Sequence, residues 1–317
     1  MEMEKTVDLK YTGHIGQLRI YLCRLFRLFV FQGDWKVLPM SAVIAALVTM
    51  AVGRGLFISM EGTFQGTFAV TCVCIWNGFF NSIQSICRER PIIKREHRAG
   101  MHITSYVAAH MIYQLFLCNA QVIITILVCG ALGMKYPATG VGEESFIPEF
   151  FITLVLITYA ADMMALAVSA IVKTQMSAMT VMPFMLIVQL VFSGFLALPG
   201  AISDVTKLMI SKWGVQSLCT LSHYNDLPAV MIWNKMTASG DRIDIGGFTT
   251  LKEVMAMIEE QGLRDTVLKK LGEASARDDF ASTYENIVTS WLALTMFILV
   301  FAVITVVFLE YIDRDKR

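Results

Sequence analysis

Apolar blocks about as long as a bilayer is thick alternate with short polar connections along most of this chain. A hydrocarbon core of about 30 Å needs roughly 20 predominantly apolar helical residues. Six blocks qualify: residues 37–58, 64–86, 106–132, 150–172, 178–198 and 287–309. Backbone groups in lipid must be satisfied within their own segment, so the pattern predicts six membrane-spanning helices. Helices of soluble domains average about 11–12 residues, which makes buried core helices a poor account of blocks this long.

The polar connections have a pattern of their own. Between His14 and Asp34, Leu18, Leu22, Leu25, Phe26 and Phe29 form an apolar stripe, and Arg19, Arg24 and Arg27 gather on another side. This predicts a basic amphipathic helix over 14–34, suited to the membrane interface or to the surface of a soluble partner. The connection after the second block carries Arg88, Glu89, Arg90, Lys94, Arg95, Glu96 and Arg98, yet both its ends run straight into apolar spans. Pro91 suits the first turn of a helix, where its missing donor costs nothing. Glu89 and Glu96 are placed to pair with Arg90, Arg95 or Arg98. The pattern predicts a short surface helix within 88–104 that can pass motion from a soluble partner to the bundle. Far along the chain, 236–286 is soluble in character. Within it 251–271, with Lys252-Glu253, Glu259-Glu260 and Lys269-Lys270, reads as one or two amphipathic helices forming a cap.

Composition narrows the class. Of 317 residues, 56% are hydrophobic and 16% charged, with 26 Lys+Arg against 26 Asp+Glu. Soluble domains carry about 25% charged residues, so an ordinary cytosolic enzyme and a disordered chain are both excluded. A nucleic-acid partner is excluded as well, since it would need a basic surface. Lys and Arg cluster in the N-terminal arm, in the 88–98 connection and at Arg314, Lys316 and Arg317, whereas the short loops on the other side hold only Arg54 and Lys135. The positive-inside rule then places both termini in the cytoplasm, with the long segment after the fifth block outside the cell membrane. The first ten residues lack the apolar core of a cleavable signal. The seven Cys include no Cys-x-x-Cys and read as buried or reduced thiols, with no metal site expected. No His-Glu-x-x-His or Gly-x-Ser-x-Gly occurs either.

The run Glu-Arg-Pro-Ile-Ile-Lys-Arg-Glu from Glu89 to Glu96, followed by Gly100 and Tyr106, resembles the coupling-helix signature of G-subfamily ABC transporters, the type-2 ABC exporter fold. The 14–34 stretch resembles the family's connecting helix. Thr158-Tyr-Ala-Ala-Asp-Met-Met-Ala-Leu-Ala-Val-Ser-Ala170 resembles its fourth span, and Val191-Phe-Ser-Gly-Phe-Leu196 the end of its fifth. The likeness extends over about 14–312. It implies an all-α integral membrane fold of six transmembrane helices with a connecting helix, a cytoplasmic coupling helix, a re-entrant outer hairpin at 199–235 and a small external domain at 236–286. The tail 1–13 would precede it, spans one to five would fill 35–198, and 287–317 would hold the last span and a cytoplasmic tail. No Gly-x-x-x-x-Gly-Lys-Ser/Thr is present, so ATP and Mg²⁺ would belong to a separate ABC ATPase subunit. Six spans make half of such a transporter, which implies a second permease chain, a homodimer by default of symmetry or a heterodimer.

The resemblance also assigns candidate residues. Glu89, Arg90, Lys94, Arg95, Glu96 and Arg98 would couple to the ATPase. Trp76, Asn77 and Phe80 on the second span, with Met185, Gln189 and Phe192 on the fifth, would line a cavity for a hydrophobic or amphipathic cargo such as a lipid, a drug-like molecule or a peptide. Leu196 and Leu198 would form the outer gate. For each cavity residue, ordinary helix packing is the competing account. Asp162 is the carboxylate well inside a span, and either function or interhelical bonding explains it. A non-transporting membrane sensor or assembly protein, and a proton-coupled transporter using Asp162, stand as alternatives.

Overall fold

The computed structural model describes residues 13–31, 33–53, 55–142, 145–194, 202–239, 244–245 and 249–311. The regular structure within these is helical, apart from a two-residue antiparallel ladder pairing Asp244–Ile245 (β1) with Thr249–Thr250 (β2) and an isolated bridge between Thr139 and Ser145. α1 spans His14–Phe31, and a 3-10 turn at Asp34–Lys36 leads into α2, Val37–Val52. Next come α3 (Met60–Ser82), α4 (Ser85–Arg98), α5 (Ile103–Ala131), α6 (Phe146–Ile171) and α7 (Gln175–Val191). Short helices α8 (Ile202–Thr206), α9 (Ile210–Leu221) and α10 (Val230–Ser239) follow, then α11 (Leu251–Glu260), α12 (Arg264–Ala274) and the long α13 (Tyr284–Glu310).

Five helical stretches are long and apolar enough to cross a bilayer: 34–52, 60–98 counting α3 and α4 together, α5, α6 and α13. The block expected over 178–198 appears as α7, 17 residues long, which stops at Val191. A turn at Phe192–Gly194, with Gly194 at φ 81, ends it, and the remainder of that block lies outside the described residues. α2 likewise stops at Val52 instead of running to 58. Beyond the turn at Gly53 and Gly55, Phe57 takes a left-handed φ of 64 and donates its backbone N–H to Thr63 Oγ1 at 2.9 Å. Pro91 does not open a helix. It sits in the interior of α4, which already begins at Ser85.

α6 is the centre of the bundle, burying 17 of its 26 residues. Small side chains allow this. Ala160, Ala161, Ala165, Ala167 and Ala170 are buried, and Gly78 of α3 faces them so closely that a Cβ there would stand 2.7 Å from the backbone N of Asp162. Such small-on-small contacts let helices approach where lipid offers no hydrophobic driving force. α9 wedges in at the far end from α4: a Cβ on its Gly214 would meet Thr71 of α3 at 2.8 Å and Ile157 of α6 at 3.1 Å. The chain after α9 is tied back to α3. The Ile232 N–H donates to Glu61 Oε1 at 3.2 Å, and Met60 N–H to the Pro228 carbonyl at 3.1 Å. Trp233, Met255 and Leu268 then form a small separate core joining α10, α11 and α12, so the amphipathic stretch at 251–271 resolves into two helices.

Candidate functional site: a bonded surface helix and a groove beside it

α4 is fastened at both ends to its neighbours. At its start, Ser169 Oγ of α6 accepts the backbone N–H groups of Ile86 and Cys87, each at 3.1 Å. These donors belong to the first turn, which has no partners within the helix. Arg90 reaches the opposite way, and its Nη1 donates to the carbonyls of Ala170 and Val172 at 3.0 and 2.9 Å. A cation on the exposed carbonyls at the C-terminal end of α6 is favoured by charge as well as by hydrogen bonding. At its close, α4 turns through Gly100 at φ 98, and Met101 N–H bonds the Glu96 carbonyl at 3.0 Å. This is a Schellman turn, which calls for glycine at the left-handed residue. Gln17 of α1 clamps that turn, donating to the Gly100 carbonyl at 3.2 Å and accepting from His102 N–H at 2.8 Å.

The carboxylates of α4 look to α1. Glu89 Oε1 accepts from Arg24 Nη2 at 3.0 Å, and its Oε2 from the Tyr106 hydroxyl of α5 at 3.2 Å. Glu96 is 3.6 Å from the same guanidinium and accepts from the Tyr21 hydroxyl at 3.0 Å. Burial, reinforced by Glu96, pushes the Tyr21 phenol up to about 12, so it remains a donor at physiological pH. Pairing of Glu89 and Glu96 with Arg90, Arg95 or Arg98 is thus not the arrangement seen: a helix can pair i with i+4 only on one face, and both carboxylates lie on the face that α1 covers. Arg24, Tyr21 and Ser169 are site residues that sequence reasoning passed over. Arg24 was grouped with Arg19 and Arg27 by spacing. In the fold, Arg19 and Arg27 are exposed while Arg24 turns toward α4. The apolar stripe of α1 is also spoken for, since Leu22, Leu25, Phe26 and Phe29 pack on Ala109 and Tyr113 of α5.

This leaves the six expected coupling residues in two groups. Glu89 is buried and Arg90 half-buried, both bonded inside the chain, and Glu96 and Lys94 are half-buried. Arg95 and Arg98 are exposed, as are Arg88 and Pro91 on the same side, at the three- and four-residue spacing of one helix face. At the helix's far end His97 Nε2 lies 4.0 Å from Glu310 at the end of α13.

Beside this helix runs a groove. Trp76 of α3 and Gln189 of α7 line one cavity of 390 Å³ together with Ile44 and Val48 of α2. Trp76 continues with Asn77 and Phe80 into a neighbouring one of 320 Å³. Four of the six expected cavity residues therefore come together, while Met185 and Phe192 line neither. The α2 wall was missed, because a span's apolar pattern does not say which neighbour it faces. Gln189 is also a strut: its carbonyl and Oε1 hold Ser211 Oγ and N–H of α9 at 2.5 and 3.1 Å. Asp162 is wholly buried in the α3–α6 contact and lines neither cavity. Leu196 and Leu198 lie outside the described residues. Other polar residues of the spans serve packing: Asn81 and Gln121 exchange two hydrogen bonds, at 2.8 and 3.0 Å, between α3 and α5.

Membrane-length helices around a small-residue core, with a charged surface helix bonded to several of them, define an integral membrane protein of the transport-permease class. The chain belongs to the ABC-2 type transporter family, whose family model matches residues 16–221, from α1 through α9. It is also 29% identical over 122 residues to an ABC transporter ATP-binding/permease protein of Mycobacterium tuberculosis. That alignment covers 38% of this chain and 14% of the relative, so the chain spans only a small part of the relative's length.

Proposed function

We propose that this chain is the transmembrane half of an ATP-driven exporter for a hydrophobic or amphipathic cargo, working by alternating access, with ATP and Mg²⁺ held by a separate nucleotide-binding subunit. One observation carries the reading: α4 is bonded on its inward side to α1, α5 and α6, and presents Arg95 and Arg98 outward. A push on that face reaches the core of the bundle without passing through a flexible joint. α4 is then the cytoplasmic coupling helix, α1 the connecting helix at the inner face of the cell membrane, and both termini are cytoplasmic. α7, with the apolar residues that follow it, is the fifth of six spans. The α8–α10 region is the outer hairpin, 236–286 the cap, and a second copy of the chain completes the pathway. The ATPase does work on the permease only insofar as its nucleotide states bind the two permease conformations unequally.

The test is co-expression with a candidate ABC ATPase, followed by affinity purification and ATP hydrolysis measurements. Arg95→Glu is expected to lower complex formation and permease-stimulated hydrolysis about tenfold while thermal stability stays within about 0.5 kcal/mol, as for an exposed site. Undiminished stimulation in Arg95→Glu would remove the coupling role. Asp162→Asn separates the proton-coupled alternative. Transport that persists in this variant but stops without ATP excludes it, whereas loss of transport with ATP present revives it.

A further inference from the structure

His110 of α5 is 2% exposed, and neither ring nitrogen has a hydrogen-bond partner. Its ring packs edge-on against Tyr106 at 4.7 Å. A neutral imidazole carries one donor and one acceptor. Leaving such groups unmet in a protein interior is costly enough to call for an explanation. The ring lines a cavity of 210 Å³ among α1, α3, α4 and α5. Three charged side chains line the same chamber, Asp34, Arg88 and Glu89. Glu89 is already bonded to Arg24 and Tyr106, whereas Arg88 and Asp34, 3.6 Å apart with both side chains exposed, present one charge of each sign. The chamber shares Val37 and Phe80 with the 320 Å³ cavity, and that cavity shares Ile44 and Trp76 with the 390 Å³ one. A polar chamber at the α4 end thus leads into an apolar groove along α2 and α3.

We propose that this series of cavities binds a single-chain amphipath with a small zwitterionic head, of the phosphoethanolamine type. Its phosphate faces Arg88, its ammonium faces Asp34, and a polar atom where head joins chain hydrogen-bonds His110. The chain lies along Phe80, Trp76 and Ile44. A purely anionic head would take Arg88 from Asp34 and leave that carboxylate without a cation, and an uncharged head would use neither sign. Calling this molecule the cargo rests on the permease reading; the binding site itself does not.

The test uses the purified full chain in detergent, titrated with lysophosphatidylethanolamine and followed by native mass spectrometry. Lysophosphatidylglycerol and dodecanol serve as the anionic and uncharged comparisons. The zwitterion is expected to bind at least about tenfold tighter than either. His110→Phe, which keeps the ring's bulk and removes both nitrogens, is expected to weaken it about tenfold. Arg88→Gln should weaken it too, and Arg19→Gln on the exposed side of α1 should not. A thermal melt of each variant checks that the fold is retained. Equal affinity in His110→Phe, or equal binding of the anionic lipid, would overturn the proposal. So would zwitterion binding no tighter than dodecanol's, and in each case co-purification with an ATPase would still stand as the separate measure of the permease reading.

Discussion

Replacing Arg24 by Met removes the one cation that two carboxylates of α4 share. The guanidinium lies 3.0 Å from Glu89 and 3.6 Å from Glu96, with side-chain exposures of 30% for Arg24, 10% for Glu89 and 30% for Glu96. An exposed ion pair contributes no more than about 1 kcal/mol, whereas removing one partner of a buried pair costs about 3–5 kcal/mol. This site lies between those limits, and Glu89 would keep only the Tyr106 hydroxyl at 3.2 Å. A loss of about 2–3 kcal/mol follows, which for a chain of this size lowers the melting temperature by about 4–6 °C. Thermal unfolding of the detergent-solubilised chain measures it. The decisive comparison is a double-mutant cycle. In Arg24→Met with Glu89→Gln the stranded charge is gone while the amide can still accept from Tyr106, so about 2 kcal/mol should return. If the two substitutions add to within about 0.5 kcal/mol, they do not interact, and the claim that α1 and α4 are held together by this charge is refuted.

Two further substitutions probe how α4 and α3 are seated on α6. Gly78→Val places methyl groups against the backbone of Thr158 and Asp162, and overpacking of a tight contact costs about 1–3 kcal/mol or more; a matching drop in the thermal midpoint, or failure to accumulate in membranes, is the expected result, and wild-type stability would mean that α3 and α6 are not so close. Arg90→Met deletes two charge-assisted bonds to the end of α6, for a loss of about 2 kcal/mol, read out as faster amide hydrogen exchange near residues 168–172 with little change at the opposite end of α6.

How far the sequence discloses this protein depends on the range of the forces involved. Spans are legible because burial in lipid acts on every residue of a segment: α5 and α6 start within about four residues of the blocks predicted at 106 and 150. Boundaries fail where local turns decide: α7 ends at the turn that closes with Gly194 at positive φ, and α2 stops at Val52, short of the left-handed Phe57, inside otherwise apolar runs. The segment 88–98 is legible as a charged helix, but the partners of its charges are not. Arg24 and Glu89 are 65 residues apart, and only the packing of α1 on α5 brings them together. Asp162 shows the same limit. Its position within a span is plain from sequence, and its seat opposite Gly78 is not.

The distribution of burial divides the bundle into parts that should move differently. α6 buries 17 of 26 residues and is bonded to α4 through Ser169 and Arg90, so displacing α4 carries α6 and the closely apposed α3 with it. α7 buries only four of its 17 residues, and among the described residues its firm attachments include Gln189 to Ser211 of α9. The 390 Å³ cavity lies at the boundary, between α2 and α3 on one side and α7 on the other. If alternating access opens that boundary, linking its walls must stop it. Cysteines introduced at Val48 and Leu190, in a background lacking the seven native Cys, can be joined by a short bifunctional thiol reagent. Cross-linking is expected to abolish cargo-stimulated ATP hydrolysis by the assembled complex, and cleaving the linker to restore it. Full stimulation with the cross-link intact would mean that α7 moves with α3, and the pathway would then have to open elsewhere.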